Sequence, residues 1–271
     1  MQGNEKFLGR VASYAHKHAL WREGERILAA VSGGPDSLAL LLALKLLAVK
    51  EKINIGCCCV NHHLRAAAGK EAEFVESVCR EWNIPFILKE VDVQSTVRNG
   101  GSIETAARDL RYKALREAAR GGRYAKIAVA HHGDDQAETV LYHLLRGSGV
   151  TGLSGMKPIN GDIIRPFLCV SKNEIKDFLK DFSYVPCHDE SNDVEDAVRN
   201  RIRLSLVPEL ISYNPRVTES LRRTADIFRE EDLFMEEKAD VFISSCVEHD
   251  NDKCVFFIAY FLALHIALQR R

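Results

Sequence analysis

A short glycine-rich turn is the segment of this 271-residue chain with the clearest chemical potential. It consists of Ser32, Gly33, Gly34, Pro35, Asp36 and Ser37. The turn follows an apolar run typical of a buried strand and precedes a leucine-rich helical pattern, so free backbone N–H groups and the helix dipole can attract an anion there. The two glycines allow close backbone approach, and the two serines add hydroxyl donors. Because no lysine ends the turn, it is not the type of phosphate loop that holds a nucleotide by a cation.

Asp36 is the carboxylate of this turn. A carboxylate would repel phosphate unless Mg²⁺ lay between the two, and the same side chain could cap a helix beginning at Ser37 or Leu38. An ordinary strand-to-helix turn would also need glycine and serine for its geometry. The complete string SGGPDS nevertheless favours a nucleotide loop.

Further polar strings follow two other apolar runs. The string NHHLR ends at Arg65, and its residues His62 and Arg65 are candidate contacts to a nucleotide or phosphate. The alternative is that His62 and Arg65 are exposed loop residues without a function. The string AHHGDDQAET opens a helical pattern and contains His132, Asp135 and Glu138. Helix capping accounts for one or two of its carboxylates, but the three side chains together suit a metal, a general base or a cationic substrate.

An arginine-rich string, RNRIR, covers residues 199–203. Arginine forks suit phosphate or a nucleic-acid backbone, so Arg201 and Arg203 are candidates. A solvated helix face is the competing interpretation and would be preferred for this string taken alone.

Alternating strand and helix patterns must position these strings. Strands are predicted at 26–31, 53–61, 85–91 and 126–131, and helices at 38–49, 72–82, 103–119 and 136–145. This alternation is typical of an α/β fold with a doubly wound, mostly parallel sheet. A loop at 148–161, a short strand at 163–166, a helix at 172–181 and an acidic loop at 187–197 follow. We expect an α/β domain at 1–214, a helical linker at 215–245 and the start of a second domain at 246–271.

Composition leaves the partner of the chain open. The formal net charge of -1 gives no general case for nucleic acid, although a local basic groove is possible. The eight cysteines form no C-x-x-C pair, and three are consecutive in an apolar run, so we interpret them as structural thiols. A signal peptide and a membrane-spanning segment are not expected, which predicts a cytoplasmic protein.

The SGGPDS turn resembles that of the N-type ATP pyrophosphatases of the PP-loop family, which cleave ATP between the α- and β-phosphates and transfer AMP to a substrate oxygen. Residues 24–223 are similar to the tRNA(Ile)-lysidine synthetase family. The strings that carry this resemblance are SGGPDS, NHHLR, SIETAARDLRY, AHHGDDQAETVLYHLLRGSGVTGLSGM, IIRPFL and DESNDVEDAVRNRIR. The resemblance implies that ATP and Mg²⁺ are used to adenylate O2 of the wobble cytidine, position 34, in a tRNA(Ile) with a CAU anticodon. The ε-amino group of free L-lysine would then attack C2, giving lysidine, AMP and pyrophosphate.

The resemblance also implies roles for individual residues. Asp36 would act with Mg²⁺, Arg108 and Arg111 would lie near a nucleotide or tRNA phosphate, and Asp135 and Glu138 would hold or deprotonate the lysine. The implied catalytic residues are Asp36, Arg111, Asp135, Glu138, Arg201 and Arg203. The implied substrate-binding residues are Arg108, His132, Asp135 and Glu138. The implied nucleotide-binding residues are the six residues of the turn with His62 and Arg65.

The chain departs from the family pattern at several positions. Asn61 and His63 replace an aspartate and a glycine, Val198 replaces an aromatic residue, and an alanine replaces a serine shortly after Arg65. These departures bear on the fine contacts of residues 61–65 and not on the reaction class. The apolar tail FFIAYFLALHIALQRR looks like the beginning of a further domain, which indicates a short form or a fragment. Its exposure would favour association, and a homodimer is one possible result.

Two other functions compete with this interpretation. A tRNA 2-thiolation enzyme of the same fold would attack the adenylated base with sulfur, but the C-x-x-C pairs of those relatives are absent. A non-catalytic ATP-binding module would bind ATP without releasing pyrophosphate. Simple binding does not require so many charged strings at one sheet edge.

Overall fold

A six-stranded sheet with helices on both sides organises the chain. The structure is a computed structural model that describes residues 2–61, 68–92, 103–187, 197–250 and 253–271. The strands of the sheet are β1 (Arg26–Ala30), β2 (Asn54–Asn61), β3 (Phe86–Glu90), β4 (Lys126–Ala128), β5 (Ile159–Asn160) and β6 (Ile163–Ile164). A hairpin of β7 (Val247–Asp250) and β8 (Lys253–Phe256) lies outside it.

The first six α-helices are α1 (Gln2–Lys17), α2 (Pro35–Glu51), α3 (Ala68–Glu81), α4 (Ile103–Gly121), α5 (Gly133–Leu145) and α6 (Val150–Leu153). A 3-10 helix covers Pro166–Cys169. The later helices are α7 (Lys172–Leu179), α8 (Ala197–Arg201), α9 (Val207–Tyr213), α10 (Val217–Cys246), α11 (Ile258–Leu262) and α12 (Ile266–Gln269), and a π-helical turn, Ile202–Leu206, joins α8 to α9.

The strand order β3-β2-β1-β4-β6-β5 confirms the predicted doubly wound sheet. The pairs along β3-β2-β1-β4-β6 are parallel, and only the β5–β6 pair is antiparallel. The chain winds outward from β1 in both directions, so the loops after β1 and β4 diverge at the sheet edge. This crevice between neighbouring strands is where open α/β sheets bind ligands.

Two apolar layers cover the faces of the sheet. Residues alternate between them along each strand, as shown by Cys57 in the layer beside α2 and Cys58 in the layer beside α4. Burial raises the pKa of the Cys58 and Cys59 thiols to about 12. These buried cysteines therefore pack as small apolar residues, as the sequence predicted.

Several boundaries differ from the sequence prediction. The strand predicted at 126–131 ends at Ala128, because β4 pairs with only two residues of β6. The predicted loop at 148–161 is partly wrong: it contains α6 and β5, and the Gln136 side chain bonds the backbone of Ser154 and Met156. The helix α1 was not predicted.

The helix predicted after residue 215 is the 30-residue α10, which packs against α5 and α6. Most of the predicted acidic loop at 187–197 lies outside the described residues. In the described part of the chain, no helix has the length and apolar character needed to cross a membrane.

Candidate active site

The phosphate loop has a conformation that depends on glycine and on its own serines. Gly33 has φ +90°, in the left-handed region that favours glycine. The Ser37 hydroxyl accepts from the Ser32 N–H at 3.1 Å and donates to the Gly34 carbonyl at 3.0 Å. The Cys187 N–H donates to the Gly33 carbonyl at 3.1 Å, so the chain just before the acidic segment lies against the loop. The loop is therefore preformed, with the Ser37 hydroxyl engaged within it.

Asp36 is inside the helix that follows this loop. The helix α2 begins at Pro35, with Gly34 as a cap that makes no side-chain hydrogen bond. Asp36 consequently does not cap the helix, and the capping alternative is wrong. Its carboxylate lies in the first turn, where the helix dipole favours negative charge.

Asp36 faces His132 across the crevice between β1 and β4. The Oδ2 of Asp36 is 3.7 Å from Nε2 of His132. Burial alone would raise the pKa of Asp36, but the interaction with His132 and the positive charges of Lys172 and Arg203 lower it. The carboxylate is therefore ionised at neutral pH.

His132 is buried among carboxylates at the start of α5. It caps the helix: its N–H donates to the Asp135 carboxylate at 2.9 Å, and its ring accepts from the Asp135 N–H at 3.4 Å. Its Nδ1 also lies 3.6 Å from the Asp134 carboxylate. Burial would lower the pKa of His132, but the interactions with Asp36, Asp135 and Asp134 raise it. Asp134 has a second function, because its carboxylate accepts from the Lys172 N–H at 2.7 Å and ties α5 to α7.

The Asp36 carboxylate fits a magnesium ion bound together with a nucleotide. Its Oδ1 is buried and has no hydrogen-bond partner in the described part of the chain. No group of three or more histidine, cysteine, aspartate or glutamate residues in those ranges could hold a metal alone. Mg²⁺ commonly binds one or two carboxylates and completes its shell with phosphates and water, so Asp36 suits that arrangement.

Glu138 lies one turn further along α5 and is buried against arginines. Arg203 donates to it in a bidentate manner, from Nε at 2.8 Å and from a terminal nitrogen at 3.3 Å. Arg199 lies 3.5 Å from the same carboxylate, and Arg203 also lies 3.6 Å from Asp135. The two carboxylates predicted to meet a cationic substrate are thus together, and in this structure guanidinium groups neutralise them.

Not all predicted site residues reach this cluster. Arg201 is exposed on α8, whereas Arg203 lies on the π-helical turn and points to Glu138. Arg108 and Arg111 lie on α4 beside the ring of Tyr112, with their guanidinium carbons 5.2 and 5.5 Å from its centre. The predicted nucleotide contacts His62 and Arg65 lie outside the described residues.

Sequence reasoning gave no role to several residues around the site. His131 is enclosed by positive charge from Arg165, Arg111, Arg108 and Arg199. Arg222 of α10 covers Gly133, where an added Cβ would lie 2.7 Å from its side chain. The sequence signals for these residues were the first histidine of AHHGDD and the arginine of IIRPFL. Arg222 had no such signal, because the contacts of α10 depend on tertiary packing.

Known proteins resemble this chain over most of its length. A PP-loop domain model, ATP_bind_3, matches residues 5–210. The tRNA(Ile)-lysidine synthase of Caldanaerobacter subterraneus is 36% identical over 265 residues, which are 97% of this chain and 57% of that protein. That of Petrotoga mobilis is 37% identical over 84% of this chain and 74% of its own length. The chain spans little more than half the length of the first of these relatives.

A solved structure supports the fold. The U34-tRNA thiolase of Methanococcus maripaludis superposes with a TM-score of 0.67 over 83% of this chain and 80% of its own, at 16% identity. This similarity concerns the arrangement of strands and helices. The family is shown by the sequence relatives and the domain match together: the chain belongs to the tRNA(Ile)-lysidine synthase family of PP-loop proteins.

Proposed function

We propose that this chain ligates free L-lysine to C2 of the wobble cytidine, position 34, of a tRNA(Ile) with a CAU anticodon. The observation that carries the proposal is the meeting of two different half-sites at the start of α5. One contains the phosphate loop, Asp36 and His132, and the other contains Asp135 and Glu138. The similarity to tRNA(Ile)-lysidine synthases selects this reaction among those of the fold.

The first half-site would bind ATP and favour transfer of AMP to the cytidine. Backbone amides of the loop and the N-terminus of α2 would bind the leaving pyrophosphate, since both attract phosphate oxygens. Mg²⁺ bound by Asp36 would supply charge neutralisation at the phosphates. Cytidine O2 would form a bond to the α-phosphorus as the bond to the β-phosphate oxygen breaks. His132, whose Nε2 faces the Asp36 carboxylate, would keep Asp36 ionised and in place.

The second half-site would receive the lysine. Asp135 and Glu138 would attract its ε-ammonium beside Arg203 and accept a proton before the amine attacks C2. The bond between C2 and O2 would then break, and AMP would leave with that oxygen. Arg111 and Arg108 on α4, and Arg201 and Arg203 after the acidic segment, would bind phosphate or RNA. We also propose a cytoplasmic location, a homodimer, and the domain limits 1–214, 215–245 and 246–271.

A product analysis tests the reaction. The purified chain is incubated with ATP, Mg²⁺, labelled lysine and a tRNA(Ile) transcript carrying CAU, and the digested nucleosides are measured by mass spectrometry. We expect a lysine-sized addition to cytidine and pyrophosphate release that requires both lysine and tRNA. A sulfur-sized addition would establish the thiolation alternative, and ATP binding without pyrophosphate release would establish the binding module.

Asp36→Asn tests the loop in the same assay. The substitution keeps the size of the side chain but removes its charge, so we expect product formation to fall by about 10²–10³-fold, as for other preorganised electrostatic groups. Asp177→Asn is the control, because Asp177 is an exposed carboxylate that pairs with Lys180 on α7, away from the loop. Equal turnover of the two variants would remove the role assigned to Asp36.

A further inference from the structure

Residues 182–187 form an extended segment that follows α7 and ends at the phosphate loop. We call this segment the strap. It contains no helix or strand, and its side chains alternate along the chain. Three of them are half-buried, namely Phe182, Tyr184 and Pro186, and the two between them are exposed. Such alternation is typical of extended backbone with one face against the protein.

Aromatic side chains hold the first half of the strap against the end of α3. The indole N–H of Trp82, the residue after α3, donates to the Tyr184 hydroxyl at 2.5 Å. The Phe182 ring contacts those of Trp82 and Phe178, at centroid distances of 5.9 and 5.1 Å. Burial and the nearby Glu81 raise the pKa of Tyr184, so its hydroxyl stays protonated. This half of the strap is therefore anchored to the apolar core.

The other end of the strap is bonded to the phosphate loop. The Cys187 N–H donates to the Gly33 carbonyl at 3.1 Å. Gly33 is enclosed between the strap and α3, since a Cβ built on it would lie 3.6 Å from Cys187 Sγ and 3.5 Å from the Cβ of Glu71. Between the two anchors, Pro186 fixes its own φ and keeps Val185 extended. The strap is thus short and stiff, and its aromatic anchor sets the position of Cys187.

The bond from Cys187 fixes the direction of the peptide that joins Gly33 to Gly34. In a planar trans peptide, the C=O and the N–H point in opposite directions. Because the Gly33 carbonyl points to the strap, the Gly34 N–H points away from it. Gly34 is buried, and its N–H donates to no atom in the described part of the chain. A buried donor requires an acceptor, and at the start of α2 a phosphate oxygen would supply it.

Without the strap, this orientation of the peptide would not be unique. The peptide lies between two glycines, which have no Cβ to oppose a rotation of the peptide plane. Such a rotation would turn the Gly33 carbonyl to the phosphate and repel it. The net stability of one hydrogen bond corresponds to about a two- to tenfold preference for the bonded orientation.

We propose that the strap is a positioning element for nucleotide binding. The Cys187 N–H, held in place by the bond between Tyr184 and Trp82, orients the Gly34 N–H toward a phosphate of ATP. Cys187 and Tyr184 act through the Gly33 carbonyl and not by contact with the nucleotide, so they are positioning residues. This inference rests on the proposed function for the identity of the nucleotide.

Paired substitutions at Cys187 test the proposal, because proline is the one residue without a backbone N–H. ATP and Mg²⁺ are titrated into the full chain by calorimetry, without lysine or RNA. We expect Cys187→Pro to bind ATP about two- to tenfold more weakly than Cys187→Ala, which also lacks the thiol but keeps the donor. Proline at this position is compatible with an extended Pro186. Equal ATP affinities of the two variants would overturn the proposal.

Tyr184→Phe tests the aromatic anchor and leaves the backbone of the strap intact. It removes the hydroxyl that accepts from Trp82, so we expect weaker ATP binding and a higher KM for ATP, with an unchanged KM for lysine. Tyr213→Phe is the matched control, because Tyr213 is 79% exposed on α9, and it should bind ATP like the wild type. Wild-type ATP affinity of Tyr184→Phe would contradict the proposal.

Trp82 provides a spectroscopic signal that a loss of stability alone would not move. The chain has two tryptophans, so Trp21→Phe leaves Trp82 as the single emitter. We expect pyrophosphate to cause a saturable change in Trp82 emission, and we expect Cys187→Pro in the same background to lose this change even at saturation. An emission change that persists in the saturated proline variant would overturn the coupling.

Melting temperatures show whether each variant is folded. A lower melting temperature of Cys187→Pro with the same ATP affinity as Cys187→Ala would leave the strap a structural role only and overturn the proposal.

The outcomes separate the strap from the proposed reaction. ATP binding is measured without lysine and RNA, so a chain that binds ATP and makes no lysidine still decides the role of the strap. Conversely, lysidine formation by a protein whose proline and alanine variants bind ATP equally would leave the proposed function intact and remove only the positioning role.

Discussion

His132 couples the phosphate loop to the carboxylates of α5, because its ring contacts Asp36 on one side and Asp134 and Asp135 on the other. The raised pKa of His132 and the lowered pKa of Asp36 mean that each side chain favours the charged form of the other in the folded chain. Removing either charge should therefore change both the geometry of the loop and the pH dependence of stability.

The pH dependence can be tested with His132→Asn, which retains an N-cap acceptor but cannot be charged. Because folding raises the pKa of His132, its stabilisation is complete below about pH 6.5, the value in unfolded chains, and is lost as pH rises through the higher folded value. We expect the melting-temperature difference between wild type and variant to shrink as pH increases from about 6 to 9. The measurement stays well above the titration of Asp36, whose lowered pKa matters only in acid. A difference that grows with pH would contradict the pairing.

Arg203 and Arg201 differ in burial, which gives a test with its own control. Arg203→Gln leaves the buried Glu138 without its bidentate partner, so we expect a loss of unfolding free energy on the order of 2–3 kcal/mol. Arg201→Gln removes an exposed charge and should change stability by less than about 0.5 kcal/mol. Urea unfolding of both variants measures this, and lysine titrations show whether Glu138 still accepts its substrate. Equal losses would mean that the Glu138 pair is not the stabilising contact.

The role of a single residue could be predicted from the sequence only where it follows from local spacing. The string SGGPDS places Asp36 in a loop because strand, turn and helix are consecutive. The choice between Arg201 and Arg203 could not be made, because both positions look alike until a π-helical turn directs one of them to Glu138. The contacts of Arg165, which donates to the Lys157 carbonyl, had no local signal in the sequence.

At the scale of elements, α10 fixes the position of α5. Arg222 lies over Gly133, the first residue of α5, and donates to the Cys169 carbonyl at 3.0 Å. Seven residues later on the same helix, buried Arg229 donates to the carbonyls of Ser154 and Met156. These contacts place the helix predicted as a linker directly against the start of the candidate site.

Gly133→Ala tests the contact between Arg222 of α10 and the start of α5. The new methyl group would lie 2.7 Å from the Arg222 side chain, so we expect Arg222 to be displaced and kcat to fall about tenfold through movement of His132. Arg222→Ala should cause a similar loss, and the double variant should cost less than the sum of the two. Arg223→Ala, an exposed neighbour, is the control. Strictly additive effects would show that the two residues act independently.

Sequence patterns were sufficient to predict some of the strands and helices but not others. The parallel strands were predicted because their apolar runs alternate with helical patterns. The helix α1 was not predicted, although Phe7, Val11 and Ala15 have helical spacing and are buried. The short α6 and β5 are stabilised by Gln136 from another element, which no local pattern records.

At the scale of the whole molecule, α10 packs against the sheet domain through α5 and α6, and the C-terminal hairpin and short helices follow it in the chain. The tail contacts α10 through an ion pair between Arg271 and the buried Asp232, which also accepts from Thr151 at 2.8 Å. The doubly wound, mostly parallel sheet could be predicted from the alternation of elements, but the attachment of the tail could not, because it depends on single long-range contacts.

Self-association is the property expected of this tail. Phe257, Ile258 and Leu262 are 74, 70 and 65% exposed, and adjacent large apolar side chains of this kind mark interaction surfaces. We expect a concentration-dependent dimer, measured by sedimentation velocity, and we expect Ile258→Glu to weaken it at least tenfold by placing a charge in the contact. Val49→Glu is the matched control, because Val49 is 87% exposed on α2, far along the chain from the tail. A monomer at every concentration, or equal weakening by both variants, would mean that the apolar tail is not the association surface.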